Sequence, residues 1–281
     1  MMIDEVLVVG AGTMGAGIAE VAAKTGARVQ LTDVSAEQLD VARALIERSL
    51  AKAVEKGKLE AAAAEAVQTQ ISFTSDPEVE RAKLIVEAVP ESMTLKKKLS
   101  AELGVRAPDA IYGTNTSSLS VTEIAAATPN PGRVLGMHFF NPPPVMKLLE
   151  VIRAEQTSEA SLATATAWAE SAGKHPIVIK DVPGFATSRL GIILGMEAIR
   201  MLEMGVGSAA DIDVAMELGY RHPMGPLRLT DLVGLDVRLA IAEHLTKELG
   251  PQFTPPPLLR QKVRAGKLGK KTGEGFYLWN D

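Results

Sequence analysis

Residues 6–33, VLVVGAGTMGAGIAEVAAKTGARVQLTD, restrict the fold more than any other stretch of the chain. Four consecutive apolar residues at 6–9 make a strand without a polar face, which has to be covered on both sides. A glycine-broken turn follows and opens a helix in which Ile18, Val21 and Ala22 share one face. A second strand, RVQLT at 28–32, comes directly after it. A helix that carries the chain from one strand to the next implies parallel pairing, and a parallel sheet needs helices on both of its faces.

The same alternation continues. Strand patterns recur at LIVEAV (84–89), AIYGT (110–114), RVLGMHFF (133–140), MKLLEVI (146–152) and PIVIK (176–180), with helical stretches between most of them. Residues 35–67 are rich in Ala, Glu and Lys and break near Gly57-Lys58. They exceed what a crossover needs and are expected to form an inserted helical hairpin. After DVPGF (181–185) the pattern turns wholly helical. Leu190, Ile193, Leu194, Ala198, Met201 and Leu202 recur at helical spacing, Ser208 and Asp211 have the spacing of a capping box, and Gly219 is a C-cap candidate. Helices are expected over 230–249 and 257–265, and no strand is expected after Lys180. The expected fold is α/β: a doubly wound sheet with an inserted helical hairpin in residues 1–183, then an all-α C-terminal domain in residues 184–281.

Gly10, Gly12 and Gly15 stand in GxGxxG order between the first strand and the first helix, with Thr13 and Met14 filling the last variable positions. Gly10 allows the tight turn, Gly12 lets a pyrophosphate approach the backbone, and Gly15 lets helix pack on strand. The helix N-terminus offers N–H groups and partial positive charge to the phosphates. Asp33 closes the second strand, where a carboxylate accepts hydrogen bonds from an adenosine ribose diol and repels a 2′-phosphate. The pattern is that of a Rossmann-type dinucleotide site with NAD preferred over NADP.

A second cluster lies in MHFFNPPPVMKLLE, residues 137–150. His138 and Glu150 each interrupt an apolar run, and Pro142, Pro143 and Pro144 cannot join a ladder. If the two arms pair antiparallel, positions 138 and 150 mirror each other about residue 144. A carboxylate on one imidazole nitrogen fixes the tautomer and raises the basicity of the other. A satisfied core histidine is the plainer alternative for a lone His, but a His–Glu pair beside a nucleotide fold suits proton transfer.

Composition narrows the classes further. The chain has no cysteine, which removes disulfides, thiolate metal sites and a cysteine nucleophile. Its four histidines show no zinc spacing, so no metal is expected. A net charge of -4 favours neither nucleic acid nor an anionic membrane surface. The early uncharged run is too short for a membrane span, and the chain enters a strand at once, so a cytoplasmic protein without a targeting peptide is expected.

The stretches GAGTMGAGIA, IVEAVPE, NTSSLS, HFFNPPPVMKLLEVI, DVPGF, HPMGPLRLTDLVGLD and KKTGEGFY together resemble the L-3-hydroxyacyl-CoA dehydrogenases, 3-hydroxybutyryl-CoA dehydrogenases among them, over essentially the whole chain. The resemblance implies NAD-dependent interconversion of a (3S)-3-hydroxyacyl-CoA, short-chain such as 3-hydroxybutyryl-CoA, and the 3-oxoacyl-CoA. His138 would be the base and Glu150 its partner. Ser117, just past a strand's C-terminal end, would contact the substrate hydroxyl, although a capping role is open to it. Glu91, Lys96, Asn141 and Lys271 would contact the nicotinamide-dinucleotide side, although LKKKL around Lys96 also reads as a solvated helix face. Ser49 and Lys56 on the hairpin would contact CoA, with an ordinary surface role equally open to Lys56. Ser188 stands where the family pattern has Asn, putting fine positioning of the thioester in question. The resemblance also implies a homodimer formed through the C-terminal domain. A dehydrogenase of free hydroxy acids, or a nucleotide-binding redox sensor without turnover, would be the competing readings.

Overall fold

In the computed structural model, residues 3–279 are described. They form two compact units that divide between Asp181 and Val182. The first opens with β1 (Glu5–Val9), α1 (Thr13–Ala23), β2 (Arg28–Thr32), α2 (Ala36–Glu55), α3 (Ala61–Thr69) and β3 (Ile71–Thr74). It continues with β4 (Leu84–Glu87), α4 (Met93–Arg106), β5 (Ile111–Thr114), α5 (Val121–Ala125), β6 (Val134–Phe139), β7 (Leu148–Arg153), α6 (Glu159–Ser171) and β8 (His175–Lys180). One eight-stranded sheet runs in the order β3-β2-β1-β4-β5-β6-β7-β8. Every pairing is parallel except β6 with β7.

The central strands are buried as their sequences require. Val6 and Val8 of β1, Leu84 and Val86 of β4, and Leu135 and Met137 of β6 all belong to one core. Ile18 and Ala22 of α1 close that core from one side, and α2 adds Leu39, Ala42, Ile46 and Leu50, at the spacing of a single helical face. The helical hairpin at 35–67 is present: Ser35 caps α2 by accepting from Gln38 N, and Gly57 reverses the chain at φ +63°.

The strand pattern did not reveal β3. It is four residues long, lies at the sheet edge, and buries only Ile71, so it carries too little apolar signal. Observed ends of the other strands fall within a residue or two of the expected ones.

The second unit is helical, with α7 (Thr187–Glu203), α8 (Ala209–Gly219), α9 (Pro226–Val233), α10 (Leu235–Leu249) and α11 (Pro257–Arg264). Three expectations need correcting. The single helix over 230–249 is split by Gly234, whose φ of +104° no helix accommodates. On α7 the buried stripe is Ile192, Met196, Ala198 and Ile199, whereas Leu190 and Leu194 are exposed. Ser208 and Asp211 do form a reciprocal capping box, while Gly219 is the last residue of α8 and Tyr220 caps it. Buried Asp231 binds the tail back by accepting from Phe276 N, Tyr277 N and Trp279 Nε1.

Candidate active site

At the C-terminal ends of the sheet's strands the glycine turn is held from three directions. Gly10 adopts φ +99°, and a Cβ there would lie 2.8 Å from Ala88 O. A Cβ on Gly15 would lie 1.7 Å from Gly10 O, so helix and turn approach as only glycine permits. Around Gly12 the corresponding position is open, with nothing within 4 Å, and α1 begins there without a side-chain cap on its N–H groups. Asp33 braces the turn: Oδ2 accepts from Ala11 N at 2.8 Å and Oδ1 from Ser35 N at 3.0 Å. Gln38 Nε2 donates to Ala11 O. A cavity of about 840 Å³ opens beside this turn, lined among others by Gly10, Gly12, Thr13, Met14, Asp33 and Val89. An open backbone at a helix N-terminus, with a preset carboxylate beyond it, fits the pyrophosphate and ribose of a dinucleotide.

Across β6 and β7 the ladder places His138 directly opposite Glu150. Nδ1 of the imidazole and Oε2 of the carboxylate are 2.7 Å apart, with His138 5% and Glu150 0% exposed. A buried carboxylate accepts, so Nδ1 carries the proton and the neutral ring has its basic lone pair on Nε2. Phe140 packs its ring at 4.7 Å from that of His138. The proline turn is itself pinned. Pro143 fits against Gly17 of α1, where a Cβ would come within 2.7 Å of the pyrrolidine ring. Lys174 donates its ammonium to Pro143 O and to Met146 O. Burial pushes that lysine down to about 8, with Lys24 adding to the effect and Glu20 opposing it.

Ser117 lies in the loop beyond β5, and Glu91 organises that loop. Oε1 of Glu91 accepts from Thr116 Oγ1 at 2.6 Å, Ser117 N at 3.0 Å, and both Ser118 N and Oγ. Ser120, not Ser117, caps α5. Asn115 ties the neighbouring strand ends together, donating its N–H to Glu87 O and accepting from Phe139 N through Oδ1. Glu91, Ser117 and Asn141 therefore follow the adjacent ends of β4, β5 and β6, and His138 is the penultimate residue of β6. Lys96 is not on a solvated face. It is 1% exposed and bonds Glu87 at 2.6 Å.

Ser49 shares a smaller cavity, about 120 Å³, with Thr13, Gly17, Asn141 and the prolines. Lys56 follows α2 as its exposed C-cap. Ser188 and Lys271 belong to the second unit: Ser188 in the first turn of α7, Lys271 paired with Asp236 at 2.7 Å. Burial pushes the Asp236 carboxyl up, but the Lys271 ammonium and the backbone N–H groups of Val237 and Asp236 together outweigh it, and the group stays below its usual range. Sequence reasoning missed Glu87, Asn115 and Lys174. Glu87 interrupts the apolar run LIVEAV, the same signal that marks His138 and Glu150, whereas Lys174 follows a helix C-terminal glycine and carries no signal of its own.

Comparison with known proteins finds relatives over essentially the whole chain. A family model described as "3-hydroxyacyl-CoA dehydrogenase, NAD binding domain" matches residues 5–182, and one described as "3-hydroxyacyl-CoA dehydrogenase, C-terminal domain" matches residues 184–279. The chain is similar to the "Probable 3-hydroxybutyryl-CoA dehydrogenase" of Deinococcus radiodurans, 46% identical over 273 residues, covering 96% of this chain and 98% of that one. Among solved structures it is similar to FadB2 of M. tuberculosis, with TM-score 0.96, 41% identity and 100% of both chains covered. It is also similar to the (S)-3-hydroxybutyryl-CoA dehydrogenase PaaH1 of Ralstonia eutropha, with TM-score 0.95, 38% identity and 100% of both chains covered.

Proposed function

The chain belongs to the 3-hydroxyacyl-CoA dehydrogenase family, and from that membership we propose that it interconverts a (3S)-3-hydroxyacyl-CoA of short acyl length, such as 3-hydroxybutyryl-CoA, and the 3-oxoacyl-CoA. NAD, when bound, supplies the hydride acceptor for C3 of the substrate. Gly10, Gly12, Thr13, Met14 and Gly15 receive its phosphates, Asp33 its adenosine ribose, and Glu91, Lys96 and Asn141 its nicotinamide side.

The observation that carries this reading is the His138–Glu150 pair, 2.7 Å apart at the edge of the sheet that holds the glycine turn. Hydride leaves C3 only as the 3-hydroxyl loses its proton, and Nε2 of His138 takes that proton. Glu150 accepts from Nδ1–H throughout and stabilises the imidazolium as it forms. In reduction the same imidazolium returns the proton to the 3-oxygen. Ser117 orients the substrate oxygen, while Ser49 and Lys56 hold the CoA moiety.

Residues 1–183 serve the dinucleotide, and residues 184–281 serve the substrate and the pairing of two copies. Leu190, Leu194, Met204, Val214 and Leu218, all exposed on the helical unit, support a homodimer through that unit. No helix among the described residues is long and apolar enough to cross a membrane.

The deciding experiment follows NADH absorbance at 340 nm with acetoacetyl-CoA. Oxidation of NADH is expected, with NADPH a poor substitute. A free 3-oxo acid working as well as the thioester would move the assignment to a hydroxy-acid dehydrogenase, and no turnover at all would refute it.

A further inference from the structure

Lys96, assigned above to the nicotinamide side, is half of a buried charge pair whose other member, Glu87, has no part in the reaction as described. Glu87, the last residue of β4, is 0% exposed, and Lys96 on α4 is 1% exposed. Removing two ions from water is costly, and an apolar pair of the same volume is commonly no less stable. Stability alone gives the pair no reason to be ionic, so its hydrogen bonds are informative.

Glu87 Oε1 accepts from Lys96 Nζ at 2.6 Å and from Val89 N at 2.9 Å, and Oε2 accepts from Thr114 Oγ1 at 2.8 Å. Lys96 Nζ also donates to Val89 O at 3.4 Å and stands 3.5 Å from Glu91 Oε2. The pair thus grips Val89 at both its N–H and its carbonyl. Ala88, Val89 and Pro90 form a wall of the large cavity, and Ala88 O is the atom against which the Gly10 turn packs. On its far side Lys96 faces Glu91, whose other oxygen holds the Ser117 loop.

We propose that Glu87 and Lys96 are a positioning pair: from behind the site they fix the 88–90 wall against the glycine turn and the Glu91 carboxylate against the Ser117 loop. The proposal rests on the function given above and adds Glu87 to the residues that shape the cofactor cradle.

A mutant cycle on the full chain tests it, with NADH affinity read by nicotinamide fluorescence, KM and kcat measured for acetoacetyl-CoA, and thermal unfolding recorded beside them. Glu87→Met and Lys96→Met should each weaken NADH binding by about ten-fold and lower Tm, because each leaves a buried charge without its partner. In Glu87→Met/Lys96→Met no buried charge is stranded. Its Tm should return close to that of the wild type while NADH affinity stays no better than in the weaker single variant. The KM for acetoacetyl-CoA should rise with it, since the Ser117 loop loses its brace. A double variant that regains both Tm and NADH affinity would reduce the pair to a structural feature. Losses that multiply in the double variant, or a Glu87→Met enzyme that binds NADH normally, would show that the two residues do not act together on the cradle. If either single variant fails to fold, the double variant alone decides. NADH binding judges the pair even if acetoacetyl-CoA is not turned over, so failure of the functional assignment and failure of this proposal remain distinct.

Discussion

With Nδ1–H committed to Glu150, a proton leaving the substrate hydroxyl has Nε2 as its acceptor on the His138 ring. His138→Ala should therefore lower kcat by ~10²–10⁴-fold, the usual worth of a positioned general base, with NADH binding intact. Glu150→Gln should cost less, and the double variant should be no worse than His138→Ala, because partners in one step cannot each be lost at full value. Steady-state kinetics on the four proteins decide it: multiplying losses would mean that the two residues work separately. Asp33 carries a second prediction. Asp33→Ser/Val34→Arg should shift preference toward NADPH, since a repelling carboxylate gives way to a cation beside the 2′-phosphate. Overall affinity should fall as well, because serine is too short to keep the bond to Ala11 N. The ratio of kcat/KM for the two cofactors measures the shift. These residues were legible because their positions follow from register and motif spacing. The burial of Lys96 was not, since the buried face of α4 at 96, 100 and 103 is Lys, Ser and Leu, and two polar residues in three erase the apolar period that marks a buried helix.

Among the elements, the β6–β7 hairpin depends on a residue outside it. Lys174 precedes β8 and holds the carbonyls of Pro143 and Met146, so both arms of the turn are tied to the next strand. Burial lowers this lysine from its ordinary 10.5 to about 8. Between those two values the unfolded chain carries a proton that the native chain does not, so native stability rises with pH there, and below about 8 the full cost of the buried charge is present. Compared with Lys174→Met, the wild type should gain stability as pH rises through this window, measured by urea unfolding at several pH values. A parallel response of both proteins would show that the lysine is not the group responsible. The clamp itself should survive, because a neutral amine retains two N–H donors. The hairpin could be read from sequence because mirrored positions follow from a two-residue period. The Gly234 break could not be, since apolar spacing continues across it and only the backbone angle separates α9 from α10.

On the scale of the molecule, two contiguous units were legible from the change of pattern after DVPGF, where strand periods cease. What holds the second unit's tail was not, because it depends on one buried carboxylate gathering donors from 45 and more residues away. Asp231→Ala should strand the Phe276 and Tyr277 N–H groups and the Trp279 indole, costing about 3 kcal/mol or more at ~1–3 kcal/mol per unsatisfied buried group. Thermal unfolding and the fluorescence of Trp279 report it, and an unchanged Tm would count against the role given to this residue. The division at Asp181 has a consequence for how the protein is made. Every strand of the sheet, the glycine turn and the His–Glu pair are encoded before that point, so the whole dinucleotide unit leaves the ribosome while the helical unit is still emerging. The nascent chain can acquire its cofactor, and the protection from proteolysis that comes with it, while the helical unit is still being added.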